Sequence, residues 1–207
     1  MRRIFTLCLL FLCFNAFSQN NKIANYEEFT LENGLKVIVL TDRSEPAITG
    51  SVLVNVGSKN DPQDATGMAH YFEHIMFKGT DRIGTVDWEK EKVYLDSISN
   101  LYDKLHNTKK DKKRNEIQKE INRLSIKAAE YAIPNETSTI LSKIGGTGLN
   151  AGTSYDFTTY YNKFPSNQLE NWLTIYAERF RKPVFRLFQS ELEAVYEEKN
   201  MYEDTPL

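Results

Sequence analysis

His70, Glu73 and His74 fall at i, i+3 and i+4 within the run His70-Tyr71-Phe72-Glu73-His74. On a helix all three side chains leave from one face, about a turn apart. Two neutral imidazole nitrogens at a fixed separation suit a zinc ion, and a carboxylate beside them can take a proton from water. The chemistry on offer is therefore metal-assisted hydrolysis. The chain has three histidines, and two of them stand here. Thr66 is placed to cap such a helix, Met68, Phe72, Ile75 and Met76 give it apolar positions, and Gly79 is placed to stop it.

The elements around this helix can be read from periodicity. Tyr26 to Leu31 and Leu35 to Thr41 flank Asn33-Gly34, a hairpin signal, and Val52, Val54 and Val56 alternate within a strand from Ala47 to Gly57. From about Val86 to Pro134 the pattern changes to two helices. Leu95, Ile98, Tyr102 and Leu105 form one seam, and Ile117, Ile121, Leu124, Ala128 and Tyr131 the other, with a charged tip between them. This inserted antiparallel helical hairpin is expected to satisfy itself along its seam, so that excising it would leave metal binding intact. His106, at its tip, has no companion at ligand spacing and reads as a surface residue. Thr137 to Lys143 makes a short helix ended by Gly145-Gly146, and Leu149 to Ser154 pairs with Thr158 to Phe164. Leu169, Trp172, Leu173, Tyr176, Ala177 and Phe180 then mark one face of an amphipathic helix, and a last helix opens at Ser190 with Glu193 three residues on, the pattern of a capping box. Short loops and hairpins favour an α+β fold, an antiparallel-rich sheet with helices packed on one face.

Residues 1–18 read as a signal peptide: Arg2 and Arg3, an apolar run from Ile4 to Phe17, and the small-x-small pattern Ala16-Phe17-Ser18. The run is short for a membrane span, so the expectation is an exported protein, periplasmic or secreted, with no stable membrane anchor after cleavage. Cleavage also removes both cysteines, Cys8 and Cys13, leaving residues 19–207 as one domain with no disulfide and no cysteine ligand. The formal net charge of −2 and dispersed basic residues exclude a nucleic-acid partner.

Two histidines do not hold zinc alone; a third protein ligand is needed, with a position left open for water. With cysteine excluded and His106 isolated, a carboxylate must serve. The last helix offers Glu191, Glu193, Glu197, Glu198 and Glu203, and Glu191 and Glu198, two turns apart, share a face. Spacing alone does not choose among the five.

Several segments carry a family resemblance. They are Asn33-Gly34-Leu35-Lys36-Val37, Val56-Gly57-Ser58, the run from Gly67 to Thr80, Asn150-Ala151-x-Thr153-Ser154, and Glu191 to Glu198 continuing into Met201-Tyr202-Glu203-Asp204. In that order they resemble the inverted-motif (His-x-x-Glu-His) zinc metallopeptidases, the family of pitrilysin, insulin-degrading enzyme and the mitochondrial processing peptidases. The resemblance implies a zinc-dependent endopeptidase acting on extended peptides or unfolded segments, with His70, His74 and Glu198 as metal ligands and Glu73 as general base. It makes Glu191 a group that orients a ligand or tunes its charge. It places Asn150-Ala151 on an edge strand where an extended peptide substrate adds by main-chain hydrogen bonds. Phe77, one turn past His74, is placed either to line the pocket after the scissile bond or to serve as a core aromatic.

Glu198 stands 124 positions beyond His74, further than the family usually sets its ligands, and the hairpin accounts for most of the excess. That is tolerable if the hairpin leaves and re-enters the fold at neighbouring points. Relatives continue into a further domain of similar fold. The chain is thus expected to be an N-terminal catalytic portion whose site is closed by a second homologous domain or subunit. The alternative is a non-catalytic or partner-dependent subunit of a peptidase complex; such members typically lose the motif, and this chain keeps it.

Overall fold

The structure, a computed structural model, describes residues 26–203. The leader, both cysteines and the segment Thr205-Pro206 lie outside the described residues. The chain divides into two compact units at Glu45/Pro46.

In the first unit β1 (Tyr26–Thr30) pairs antiparallel with β2 (Lys36–Leu40), in a register that sets Phe29 opposite Val37. The connection is a loop of Glu32, Asn33 and Gly34 rather than the two-residue turn that Asn-Gly alone suggests. The Gly34 N–H donates to the Leu31 carbonyl, only Gly34 takes a left-handed backbone (φ 86°), and the Asn33 side chain accepts from the Leu35 N–H at 3.1 Å. That is a turn closed by a glycine bulge, with asparagine holding it from outside.

The second unit is built on a three-stranded antiparallel sheet in the order β3-β5-β4, with β3 at Ala47–Val54, β4 at Thr147–Thr153 and β5 at Thr158–Pro165. Its helices are α1 (Met68–Ile75), α2 (Trp88–His106), α3 (Asp111–Ala129), α4 (Glu136–Lys143), α5 (Leu169–Arg181) and α6 (Phe188–Glu203). α1, α4 and α5 pack on one face of the sheet. β5 alternates strictly: Thr158, Tyr160, Asn162 and Phe164 are buried beneath the helices, and Tyr161 and Lys163 face outward. The α+β fold with helices on one face is therefore present, for the reason that the alternation implies.

α5 lies differently from its hydrophobic pattern. Leu169 and Leu173 are exposed, and the buried stripe is Trp172, Ile175, Tyr176 and Arg179. Polar anchors decide the rotation. The Trp172 Nε1–H and the Tyr176 hydroxyl both donate to Oδ1 of buried Asn162, at 2.8 and 2.9 Å. The Trp172 indole lies against Gly50 so closely that any side chain there would collide with it. Arg179 is 1 % exposed, donates from Nε to the Met76 carbonyl at 2.9 Å, and sets its guanidinium 4.3 and 4.8 Å from the rings of Phe77 and Tyr160. Buried hydrogen bonds and a cation over ring faces outweigh two leucines.

α2 and α3 meet along the expected seam of Ile98, Leu105, Ile121, Leu124 and Ala128. The hairpin's neck is closed by an antiparallel bridge between Thr85 and Ala132, with hydrogen bonds Val86 N–H to Tyr131 O and Ile133 N–H to Gly84 O, each 2.9 Å. The chain thus leaves and re-enters at neighbouring points. The seam does not satisfy the hairpin by itself, however. Glu91 of α2 is fully buried and pairs with Arg186, 2 % exposed, just ahead of α6, while Phe188 packs against the seam cluster. The expectation that the hairpin can be excised freely is corrected by that ion pair.

Candidate metal centre

α1 carries the histidines, and its N-terminus is held from a distance. Thr66 makes no cap; Gly67 sits at the cap position in a left-handed conformation (φ 91°), and Asp61 accepts from the Gly67 and Ala69 N–H groups at 2.7 and 2.8 Å. A carboxylate at a helix N-terminus satisfies its free donors and its dipole at once. At the other end Arg179 takes the Met76 carbonyl, and Tyr71 donates its hydroxyl to the Phe188 carbonyl at 2.8 Å, tethering α1 to the start of α6. Burial pushes the Tyr71 hydroxyl up to about 12, with Tyr102 and Glu191 adding to the shift, so it stays a donor.

α6 begins earlier than its sequence suggests. It starts at Phe188, Leu187 ahead of it has a left-handed backbone (φ 55°), and the Ser190 hydroxyl donates to the Leu187 carbonyl at 2.8 Å rather than receiving a cap bond. The capping box is absent because Ser190 already lies inside the helix.

These constraints bring His70, His74 and Glu198 together. Nε2 of His70 is 3.2 Å from Nε2 of His74 and 3.3 Å from Oε2 of Glu198, and Nε2 of His74 is 3.6 Å from the same oxygen. Zinc bonds of 2.0–2.2 Å at tetrahedral angles set ligand atoms roughly 3.3–3.6 Å apart, so the three atoms fit three corners of one tetrahedron. With both imidazoles in the Nδ1–H tautomer all three atoms are acceptors, an arrangement that a cation stabilises. Of the other acids on α6, Glu193 and Glu197 are exposed. Glu191 points inward: Oε2 lies 3.4 Å from Nδ1 of His74, and Oε1 pairs with Lys78 Nζ at 2.5 Å. A carboxylate at Nδ1 favours the tautomer that leaves Nε2 free for a metal.

Glu73 is 8 % exposed and accepts a hydrogen bond from the Thr153 hydroxyl at 2.7 Å through Oε2. Asn150 and Ala151 lie on β4, Asn150 outward and Ala151 packed on the core, and among the described residues β4 pairs only with β5. Phe77 packs with Tyr160 beneath Arg179 and belongs to the core cluster, apart from the three converging atoms. An apolar hollow of about 360 Å³ lies on the other side of α1, lined by Met68, Phe72 and Met76, and it includes none of the three converging residues. Lys78, Asp61 and Thr153 carry no spacing signal in the sequence; each acts through a partner brought close by the fold.

Comparison with known proteins gives the family. Residues 36–93 and 121–207 match the insulinase family, peptidase family M16, and the chain belongs to that family. The internal unmatched stretch, 94–120, runs from within α2 through the hairpin tip into α3. Among curated relatives, insulin-degrading enzyme of Drosophila melanogaster is 38 % identical over 58 residues, 28 % of this chain and 6 % of that enzyme. The zinc protease YmxG of Bacillus subtilis is 24 % identical over 182 residues, 87 % of this chain and 32 % of YmxG. In structure, a protease from Helicobacter pylori superposes with a TM-score of 0.59 at 24 % identity, covering 86 % of this chain and 32 % of that one. The chain spans 32 % or less of the length of each of these relatives. No helix of the described residues is long and apolar enough to cross a membrane.

Proposed function

We propose that this chain is the metal-bearing part of a zinc-dependent endopeptidase that hydrolyses peptide bonds in extended peptides or unfolded segments. The observation that carries the proposal is the convergence of His70, His74 and Glu198 at tetrahedral spacing, with a buried carboxylate on the same helix turn. In this reading His70, His74 and Glu198 hold zinc, and Glu191, itself neutralised by Lys78, orients His74. A zinc ion held by His70, His74 and Glu198 would supply Lewis acidity for the scissile carbonyl and for the attacking water. Glu73 accepts a proton from the attacking water as the new C–O bond forms, and returns it to the amine as the C–N bond breaks. The free edge of β4 at Asn150-Ala151 supports main-chain pairing with an extended substrate. Tyr160, pushed up to about 12 mainly by burial, stays neutral beneath the site.

The share of each relative that the chain spans supports a second homologous domain or subunit closing the site. The basic start and apolar run of residues 1–18 support export to the periplasm or beyond. The test is Glu73→Gln. It removes the base and no ligand, so zinc stoichiometry stays as in the parent while turnover of a quenched peptide falls roughly a hundredfold or more. Near-parental turnover would reject Glu73 as the base.

A further inference from the structure

We propose that Thr153 is a positioning residue for the Glu73 carboxylate, anchoring Oε2 so that Oε1 is the oxygen that exchanges the proton; this rests on the reading of Glu73 as the base. Thr153 ends β4 directly opposite Thr158 of β5, and the two hydroxyl oxygens are 3.3 Å apart. Each hydroxyl has one proton to give. Thr158 spends its proton on the Val56 carbonyl at 2.9 Å, an acceptor that has none to return. The Thr153 proton is then directed to Glu73, where the 2.7 Å separation is that of a charge-assisted bond.

The donor is rigidly mounted. Thr153 is fixed by its ladder partner and by the turn that follows, where the Ser154 N–H donates to the Phe157 carbonyl at 2.8 Å. A β-branched side chain on a paired strand has few rotamers to sample. Glu73, by contrast, is a flexible side chain that is nearly buried, and among the described residues Thr153 is its hydrogen-bond partner. One oxygen held and the other left open is the arrangement a base needs if it must meet a proton at a fixed place. Positioning predicts that removing the hydroxyl slows the reaction.

The experiment compares Thr153→Val, Thr153→Ser and Glu73→Gln in the active preparation, with zinc affinity measured alongside. Thr153→Val is expected to lower kcat on the order of tenfold with KM and zinc affinity unchanged, and Thr153→Ser to come within about twofold of the parent. In the zinc-free protein, Thr153→Val should lower Tm, and lower it less in a Glu73→Leu background, because the bond it breaks is already gone. A parental or raised kcat for Thr153→Val, or a Tm loss that is the same in both backgrounds, would overturn the inference. If Glu73→Gln itself turned over at the parental rate, the reading of the base would fail first.

Discussion

Arg186→Met should be among the most damaging single substitutions outside the metal ligands. The Arg186 guanidinium grips Glu91 with two bonds, Nε to Oε1 at 2.6 Å and Nη2 to Oε2 at 2.8 Å. It also donates to the carbonyls of Lys78 at 2.6 Å, Thr80 at 3.1 Å and Ile83 at 3.2 Å. Glu91 is fully buried, so truncating Arg186 strands a carboxylate with no solvent to receive it. Breaking one side of a buried pair costs about 3–5 kcal/mol. For a domain of this size that lowers Tm by roughly 6–20 °C.

The damage should reach the metal site. α6 opens at Phe188, two residues past Arg186, through the strained Leu187 backbone, and α6 carries Glu191 and Glu198. The assay is thermal unfolding with and without zinc, paired with a zinc titration, for Arg186→Met, Glu91→Leu and the double variant. The double variant should recover part of the loss, because no charge is then left buried alone. The excision of residues 86–134 should likewise fail to give soluble zinc-binding protein unless Arg186→Met accompanies it. A double variant as unstable as the two single losses added, or a Tm change under about 2 °C for Arg186→Met, would refute the reasoning.

Glu198→Ala should lose metal, while Glu193→Ala and Glu197→Ala keep it; equal zinc stoichiometry in all three would undo the ligand assignment. Glu191→Gln should weaken zinc affinity about ten- to a hundredfold, as losses behind a ligand do, and a titration reads it directly. Asp81 is held below the usual carboxylate range chiefly by its hydrogen bond to Lys182 and then by Arg181. A lowered folded pKa adds stability that is present above the unfolded value and is lost as pH falls through the folded one. Asp81→Asn should therefore lower stability at neutral pH by up to about 1 kcal/mol, less in high salt, and the difference should fade in acid as the carboxylate takes up its proton. An Asp81→Asn protein with an unchanged difference across that range would contradict the assignment.

Local signals were legible where one residue type had one cause. The 3, 4 spacing of His70, Glu73 and His74 put them on one face, and Thr158 to Phe164 was readable as a strand. The hairpin seam was readable because its apolar residues serve each other. What periodicity could not yield were contacts whose partners lie far along the chain. Asp61 caps α1 from six residues upstream, a role that Thr66 seemed to fill by position. Arg179 carries no signal of burial in the sequence, because Phe77, Tyr160 and the Met76 carbonyl that surround it lie far from it along the chain. The choice of Glu198 from five acids needed the resemblance, because helical spacing gives Glu191 the same face.

The long separation between His74 and Glu198 shows how these two kinds of information combine. Closing a loop costs free energy that grows slowly with its length, and here the closure is made at the hairpin's neck by the Thr85–Ala132 bridge. The separation of 124 positions therefore weighs on the site only through what joins at that neck. Had the hairpin been self-sufficient, its role would end there. Glu91 makes it otherwise. Through Arg186 the base of α2 is bonded to the carbonyls that follow α1 and to the segment that opens α6, so one buried ion pair links the helices that carry His70, His74 and Glu198. Tyr102 strengthens the same joint by accepting from Gln189 at 2.8 Å and packing on Phe188. A hairpin tied in this way is bonded to the start of the helix that carries Glu198. Substitutions at its inner end should consequently alter metal affinity, whereas substitutions at its charged tip should not.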